Sequence, residues 1–136
     1  MDSILTPVLA LVCWSLIMWL WMYFTRIPAM RRAGLDPASM KEKSEMDVLP
    51  LEVRRVADNY NHLHEQPVVF YALAFYSHAV GTGEGVTVAL AWAYVALRVA
   101  HSLVQALWNF VPVRFSLFVL SGFCLVGITL RNVLAL

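Results

Sequence analysis

The chain has 136 residues, of which 60% are hydrophobic and 14% are charged, and its mean hydropathy is +0.67. This length excludes a soluble multidomain enzyme, and so dense an apolar composition excludes an intrinsically disordered chain. The net charge of +1 argues against nucleic acid as a partner, because that binding needs a basic surface that displaces counterions.

The first predicted element is a membrane-spanning helix over residues 4–24, which contain no charged side chain. At a rise of about 1.5 Å per residue, this run is long enough to cross a hydrocarbon core of roughly 30 Å. A cleaved signal peptide is the alternative interpretation, but the basic residues follow the run and no small-residue cleavage site closes it. The run therefore predicts a lipid bilayer as the surroundings of the chain.

Residues 25–56 form a predicted surface loop that carries seven of the ten basic residues of the chain, whereas the 81–85 loop carries none. By the positive-inside rule, this distribution predicts that the 25–56 and 109–114 loops are cytoplasmic and that both termini lie outside. Pro50 and Glu52 mark the predicted start of the second helix, since proline is tolerated in a first helical turn and an acidic side chain suits the positive helix end.

Three further spans are predicted downstream, at about 57–80 with a kink at Pro67, at 86–108 and at 114–134. Short connections make successive helices antiparallel neighbours. The predicted fold is all-α: one domain over residues 1–136 that forms an integral membrane four-helix bundle. Cys13 and Cys124 lie far apart in apolar runs without metal-ligand spacing, so they are interpreted as packing residues and no metal site is predicted.

Polar side chains at bilayer depth define the candidate site. A charged group there costs at least about 2.5 to 3.5 kcal/mol, so those that remain usually face a partner, a cavity or a ligand. The second and third helices each place three such residues on one face, and one more begins the fourth helix. These residues are Asp58, His62 and Glu65, then Arg98, His101 and Gln105, and finally Arg114.

The depths of these residues predict that they meet near the cytoplasmic end of the bundle, with Arg98 deepest, about 15 Å from the end of its span. The plainer interpretation is structural, with Arg98 neutralised by Glu65 or Asp58 and the histidines bonded to backbone carbonyls. The whole set favours a hydrated, cation-rich pocket instead, because each unpaired buried polar group is costly. Such a pocket suits a small anionic ligand with an amine for Glu65.

Three stretches of the chain, taken together, resemble one known family. They are NYNHLHEQPVVFYALAF at 59–75, AYVALRVAHSLVQ at 93–105 and NFVPVRFSLF at 109–118. They are similar to the MAPEG family, the membrane-associated proteins of eicosanoid and glutathione metabolism, of which this chain looks like a divergent, bacterial-type member. The resemblance implies a homotrimer of four-helix subunits that binds glutathione between neighbouring subunits.

The resemblance also implies roles for individual residues in binding glutathione. Glu65, followed by Pro67, matches the glutamate that takes the glutathione amino group, and Arg98 matches the family arginine of the third helix. Other positions depart from the family: its asparagine is His62, its arginine is Asp58, and its two tyrosines are His101 and Gln105. The implied binding set is Glu65, His62, Arg98, Gln105 and Asp58, in which the charge reversal at Asp58 is the largest departure.

The implied catalytic residues are Arg114 and His101. Arg114 resembles the arginine that stabilises the glutathione thiolate, because a nearby guanidinium lowers a thiol pKa of about 8.5. His101 takes the place of a tyrosine and can donate to the thiolate or act as a base. A loop arginine is also expected to reach the ligand, and the choice among Arg26, Arg31 and Arg32 stays open.

Two functions follow as hypotheses. The first is a membrane-bound transferase or peroxidase that uses glutathione as co-substrate on small lipophilic electrophiles or hydroperoxides, in the bacterial cytoplasmic membrane or the endoplasmic reticulum. The second is a MAPEG-like ligand-binding, regulatory or structural subunit without glutathione chemistry. Glu65, Arg98 and Arg114 favour the first, and Asp58 with the absent tyrosines favours the second. A channel or transporter is a third class, but the chain shows no inverted repeat.

Overall fold

The structure is a computed structural model that describes residues 3–136, and all regular elements in that range are helical. The five α-helices are α1 (Leu5–Arg32), α2 (Leu51–His62), α3 (Gln66–Ala79), α4 (Val86–Leu103) and α5 (Val111–Leu134). A π-helical turn, Val104–Trp108, continues α4, and two 3-10 turns, Pro37–Ser39 and Lys43–Val48, lie between α1 and α2. The predicted all-α class is confirmed.

In the part of the chain that the structure describes, three helices are long and apolar enough to cross a membrane: Leu5–Arg32, Val86–Trp108 and Val111–Leu134. They coincide with the first, third and fourth predicted spans. Their outward faces expose large apolar side chains, among them Leu16, Phe24 and Phe123. A surface of this kind suits hydrocarbon rather than water, so the chain is an integral membrane protein.

The second predicted span consists of two helices rather than one kinked helix. Pro67 lacks the N–H group that would bond to the Leu63 carbonyl, and its ring crowds that carbonyl. The backbone leaves the helical region at Glu65, with φ −98° and ψ −93°. With 14 residues, α3 spans about 21 Å, which is less than a hydrocarbon core of roughly 30 Å. Three long helices and one broken pair thus replace the four continuous spans of the predicted bundle.

The first helix extends beyond its predicted end at residue 24 and continues to Arg32. It ends in a Schellman motif, in which Gly34 has φ 70° and the Leu35 N–H donates to the Met30 carbonyl over 3.0 Å. Met30 is buried with Leu49 in a small apolar cluster that the connecting segment forms over the end of α1. This cluster explains why part of the predicted 25–56 loop is helical.

The position of α4 determines where the polar residues meet. It packs mainly against α5 and also against α1. Its first half is mainly apolar where it faces the core, apart from the buried Thr87, and Tyr94 stacks on Phe70 of α3 with ring centroids 4.6 Å apart. Its second half lies beside the break between α2 and α3, which brings Arg98 next to the end of α2.

Candidate functional site

Arg98 is fully buried, with 0% of its surface exposed. Its Nη2 donates to the backbone carbonyl of His62 over 3.5 Å, and its Cζ lies 5.9 Å from the centroid of the Phe118 ring. Its Nε and Nη1 have no hydrogen-bond partner. A buried guanidinium with unpartnered N–H groups costs several kcal/mol. The site therefore has a buried cation with two nitrogens, Nε and Nη1, that lack acceptors.

Neither of the two expected carboxylates pairs with Arg98. Among residues 3–136, the side-chain ion pair within 4.0 Å joins His62 Nδ1 to Glu65 Oε2, 3.9 Å apart. The Glu65 side chain is 66% exposed, and Asp58 is exposed as well. The structural interpretation of Arg98 requires one of these two pairings, and the described chain forms neither.

Two histidines lie beside Arg98. The rings of His62 and His101 have centroids 5.2 Å apart, and Phe118 packs near both, at 5.9 and 6.4 Å. His101 is 1% exposed and its Nδ1 has no partner. One turn further along α4, the side chain of Gln105 is also buried, and its Oε1 has no partner. Buried donors and acceptors without partners thus lie on one face of α4.

Arg114 completes this set from the first turn of α5. It is half-buried, and its Nη1 donates to Oδ1 of Asn109 over 2.6 Å. It lies one helical turn before Phe118, whose ring packs near both His62 and His101. We name the set the Arg98 cluster; its members are His62, Glu65, Arg98, His101, Gln105 and Arg114.

Sequence reasoning missed three residues of this region. Gln66 accepts hydrogen bonds at its Oε1 from the Tyr94 hydroxyl, over 3.4 Å, and from Ser121, over 3.2 Å. These bonds tie the first turn of α3 to α4 and α5, so they hold the helix break next to Arg98. Phe118 and Asn109 are the other two. A glutamine beside Pro67 and an asparagine between two helices were the available signals, and neither indicates its partner.

Asp58 lies apart from the Arg98 cluster. It lines a cavity of about 80 Å³ together with Arg26, Arg54 and Asn61. The predicted common face of Asp58, His62 and Glu65 depends on one continuous helix, which the break after His62 interrupts. Of the candidate loop arginines, Arg26 lines this cavity, whereas Arg31 and Arg32 are exposed in the last turn of α1.

The five principal cavities of the described residues lie away from the Arg98 side chain. None of the five principal cavities in the described residues is lined by Arg98, His101 or Arg114. The largest, about 690 Å³, lies between the end of α1, the start of α2 and the π-helical turn. His62, Arg98 and His101 lie together, whereas Asp58 lies apart, and Phe118 packs over the three where an open cleft was expected.

Comparison with known proteins identifies a family. The model of the MAPEG family matches residues 4–134, a range that includes every member of the Arg98 cluster. No curated protein and no solved structure gives a significant match to the chain.

Proposed function

This chain belongs to the MAPEG family, and from that premise we propose that it is a membrane-bound glutathione-dependent transferase or peroxidase acting on small lipophilic electrophiles or hydroperoxides. The observation that carries the proposal is the buried Arg98, whose Nε and Nη1 lack acceptors. Glutathione has two carboxylates, and a carboxylate is the acceptor that binds a guanidinium most strongly. The residues present therefore fit this co-substrate.

The other members of the proposed binding set match the remaining groups of glutathione. The unpartnered Oε1 of Gln105 can accept from a peptide N–H, and the exposed carboxylate of Glu65 can accept from the amino group. His62 stands between Arg98 and Glu65 and bonds or pairs with both. Asp58 has at most an outer position in this set, because it lines a separate cavity with Arg26.

Arg114 and His101 are the proposed catalytic residues. Bound glutathione supplies the nucleophilic sulfur. Arg114 has no carboxylate within 4.0 Å among the described residues, so its full charge is available to stabilise a thiolate over a thiol. His101 offers an unpartnered ring nitrogen that can donate to the sulfur or take its proton.

We also propose a homotrimer, with the site between neighbouring subunits and with the basic 25–56 segment in the cytoplasm. The exposed Glu65 carboxylate and the wide apolar faces of the described chain support an assembly. Phe115, which is exposed next to Arg114 on α5, is our proposed point of entry for a lipophilic substrate from the bilayer.

Two observations favour a second function, that of a ligand-binding or regulatory subunit without glutathione chemistry. Phe118 packs over the Arg98 cluster, and Asp58 stands where the family has an arginine. In that case the cluster binds another small anion, and no thiolate forms.

The test uses the purified chain in detergent. We expect glutathione to bind, to form a thiolate seen by ultraviolet absorbance, and to conjugate a generic aryl halide. Arg131→Lys is the control variant, since Arg131 lies at the other end of the fold and bonds to Thr87. Binding of glutathione without a thiolate or turnover would support the second function. The absence of both binding and turnover refutes the transferase or peroxidase function.

A further inference from the structure

The chain between α4 and α5 turns at a single residue, Asn109, which has φ 54° and ψ 35°. It is the one non-glycine residue with positive φ among residues 3–136. Asparagine is among the few residues that adopt this left-handed region readily. The Asn109 N–H donates to the Val104 carbonyl over 2.5 Å and closes the π-helical turn. This left-handed turn and its backbone hydrogen bond therefore fix the position of Asn109.

The side chain of Asn109 has one described partner, the guanidinium of Arg114. The distance from Nη1 to Oδ1 is 2.6 Å, which is short and typical of a charge-assisted hydrogen bond. Arg114 lies in the first turn of α5, where the partial positive charge of the helix end repels a cation. Without the Asn109 acceptor, no described hydrogen bond would hold the Arg114 guanidinium near the positive end of α5.

We infer that Asn109 is the positioning residue for Arg114, which it holds in the first turn of α5, one turn before the Phe118 ring that packs near His62 and His101, without cancelling its charge. A neutral amide accepts the hydrogen bond but contributes no negative charge. An aspartate at the same place would hold the guanidinium equally well and offset part of its charge. The effect of this charge on bound glutathione rests on the proposed function. The hydrogen bond from Arg114 to Asn109, here called the tether, does not depend on that function.

The first experiment uses two variants of the full chain in detergent. Asn109→Gly keeps the left-handed backbone and removes the acceptor, whereas Asn109→Asp keeps the acceptor and adds a charge. We expect the thiolate fraction of bound glutathione at neutral pH to fall roughly threefold in both variants, which corresponds to about half a pKa unit. The Kd of S-methylglutathione, which has no thiol, should stay unchanged.

These variants separate positioning from a merely structural role. A structural role predicts that Asn109→Gly lowers the melting temperature together with all ligand binding. It also predicts that Asn109→Asp has the melting temperature, ligand binding and thiolate fraction of the wild type. A wild-type thiolate fraction in both variants, or in Asn109→Asp alone, overturns the inference while leaving the proposed function intact. If Asn109→Gly does not fold, Asn109→Asp still decides the matter.

The second experiment needs no glutathione. Phenylglyoxal modifies arginine side chains, and mass spectrometry gives the rate at each residue. We expect Arg114 to react roughly threefold faster in Asn109→Gly than in the wild type, because one hydrogen bond no longer restrains it. Arg131 serves as the internal reference, with an unchanged rate. Equal rates at Arg114 overturn the tether. If the wild type forms no thiolate, the proposed function fails, and this rate alone decides the inference.

Discussion

Within residues 3–136, two clusters of polar side chains lie at opposite ends of α4, and they differ in how completely their buried atoms are hydrogen-bonded. The cluster at the other end, here named the Asn132 cluster, consists of Ser77, Thr82, Thr87, Arg131 and Asn132. The Asn132 Nδ2 donates to Ser77 Oγ over 2.8 Å, and the Asn132 Oδ1 accepts from Ser77 and Thr82. Arg131 Nε donates to the Thr87 hydroxyl over 2.9 Å. None of these five residues has a buried side-chain polar atom without a partner.

The Arg98 cluster lies in the same fold with the opposite character. Arg98, His101 and Gln105 each have a buried nitrogen or oxygen without a partner. A satisfied polar cluster stabilises the native state, whereas an unsatisfied one destabilises it until a partner arrives. The bonds of the Asn132 cluster join α3, α4 and α5. The unpartnered atoms of the Arg98 cluster support the proposal that it binds something from outside the chain.

The strongest way to break this comparison is Arg98→Met. Methionine fills the space without a buried charge, so we expect an unchanged or higher melting temperature in the absence of ligand. Glutathione should bind at least about 100-fold more weakly, a loss of about 3 kcal/mol. Thermal unfolding and calorimetric titration measure the two effects. A clear fall in the melting temperature would show that Arg98 is structural.

The mirror-image change is Asn132→Ala. It leaves the hydroxyls of Ser77 and Thr82 without their shared partner, so the free energy of unfolding should fall by about 2 to 3 kcal/mol. The Kd of glutathione should not change. Thr129→Ala is the matched control, because the Thr129 hydroxyl bonds only to the Leu125 carbonyl of its own helix over 2.8 Å. Denaturant titration in detergent compares the variants, and equal stability of the two would contradict the structural role of Asn132.

Arg114→Ala sharpens the division of roles within the Arg98 cluster. We expect the thiolate fraction of bound glutathione to fall about tenfold, because the charge that stabilises it is removed. The Kd of glutathione should change little, since Arg98 and Glu65 take the peptide. Ultraviolet absorbance against pH reports the thiolate. An unchanged absorbance would contradict the assignment of Arg114.

Glu65→Gln should have the smallest effect. Its carboxylate is 66% exposed, so its pairing with an amino group is screened by water and contributes about 1 kcal/mol, or roughly fivefold in Kd. The thiolate fraction of the bound ligand should stay the same. Glu84→Gln, in the turn at the other end of the fold, is the control. A loss as large as that of Arg98→Met would mean that Glu65 is desolvated in the assembled protein.

Much of the fold could be predicted because helix length and apolarity are local properties. The uncharged run from residue 4 and the two later runs each became a long helix. The break at Pro67 was predicted only as a kink, since its extent depends on the bonds that Gln66 makes with Tyr94 and Ser121. The extra turns of α1 depend on Leu49 and its neighbours packing over Met30 from a segment without periodicity.

The candidate site likewise could be predicted where it depends on helical spacing, and could not where it depends on tertiary contacts. Helical spacing placed Arg98, His101 and Gln105 on one face, and that face is buried as expected. Spacing failed for Asp58, because its predicted alignment with Glu65 assumed an unbroken helix. The tether of Arg114 could not be predicted, since it depends on the left-handed backbone of Asn109 after a π-helical turn.

The most direct test is a cryo-electron microscopy structure of the protein in a lipid nanodisc with saturating glutathione. We expect density for the tripeptide beside Arg98, with a carboxylate oxygen within hydrogen-bond distance of its Nε or Nη1. A carboxylate from a neighbouring copy of the chain on Arg98, with no glutathione density there, would contradict the assignment of the Arg98 cluster as a ligand site.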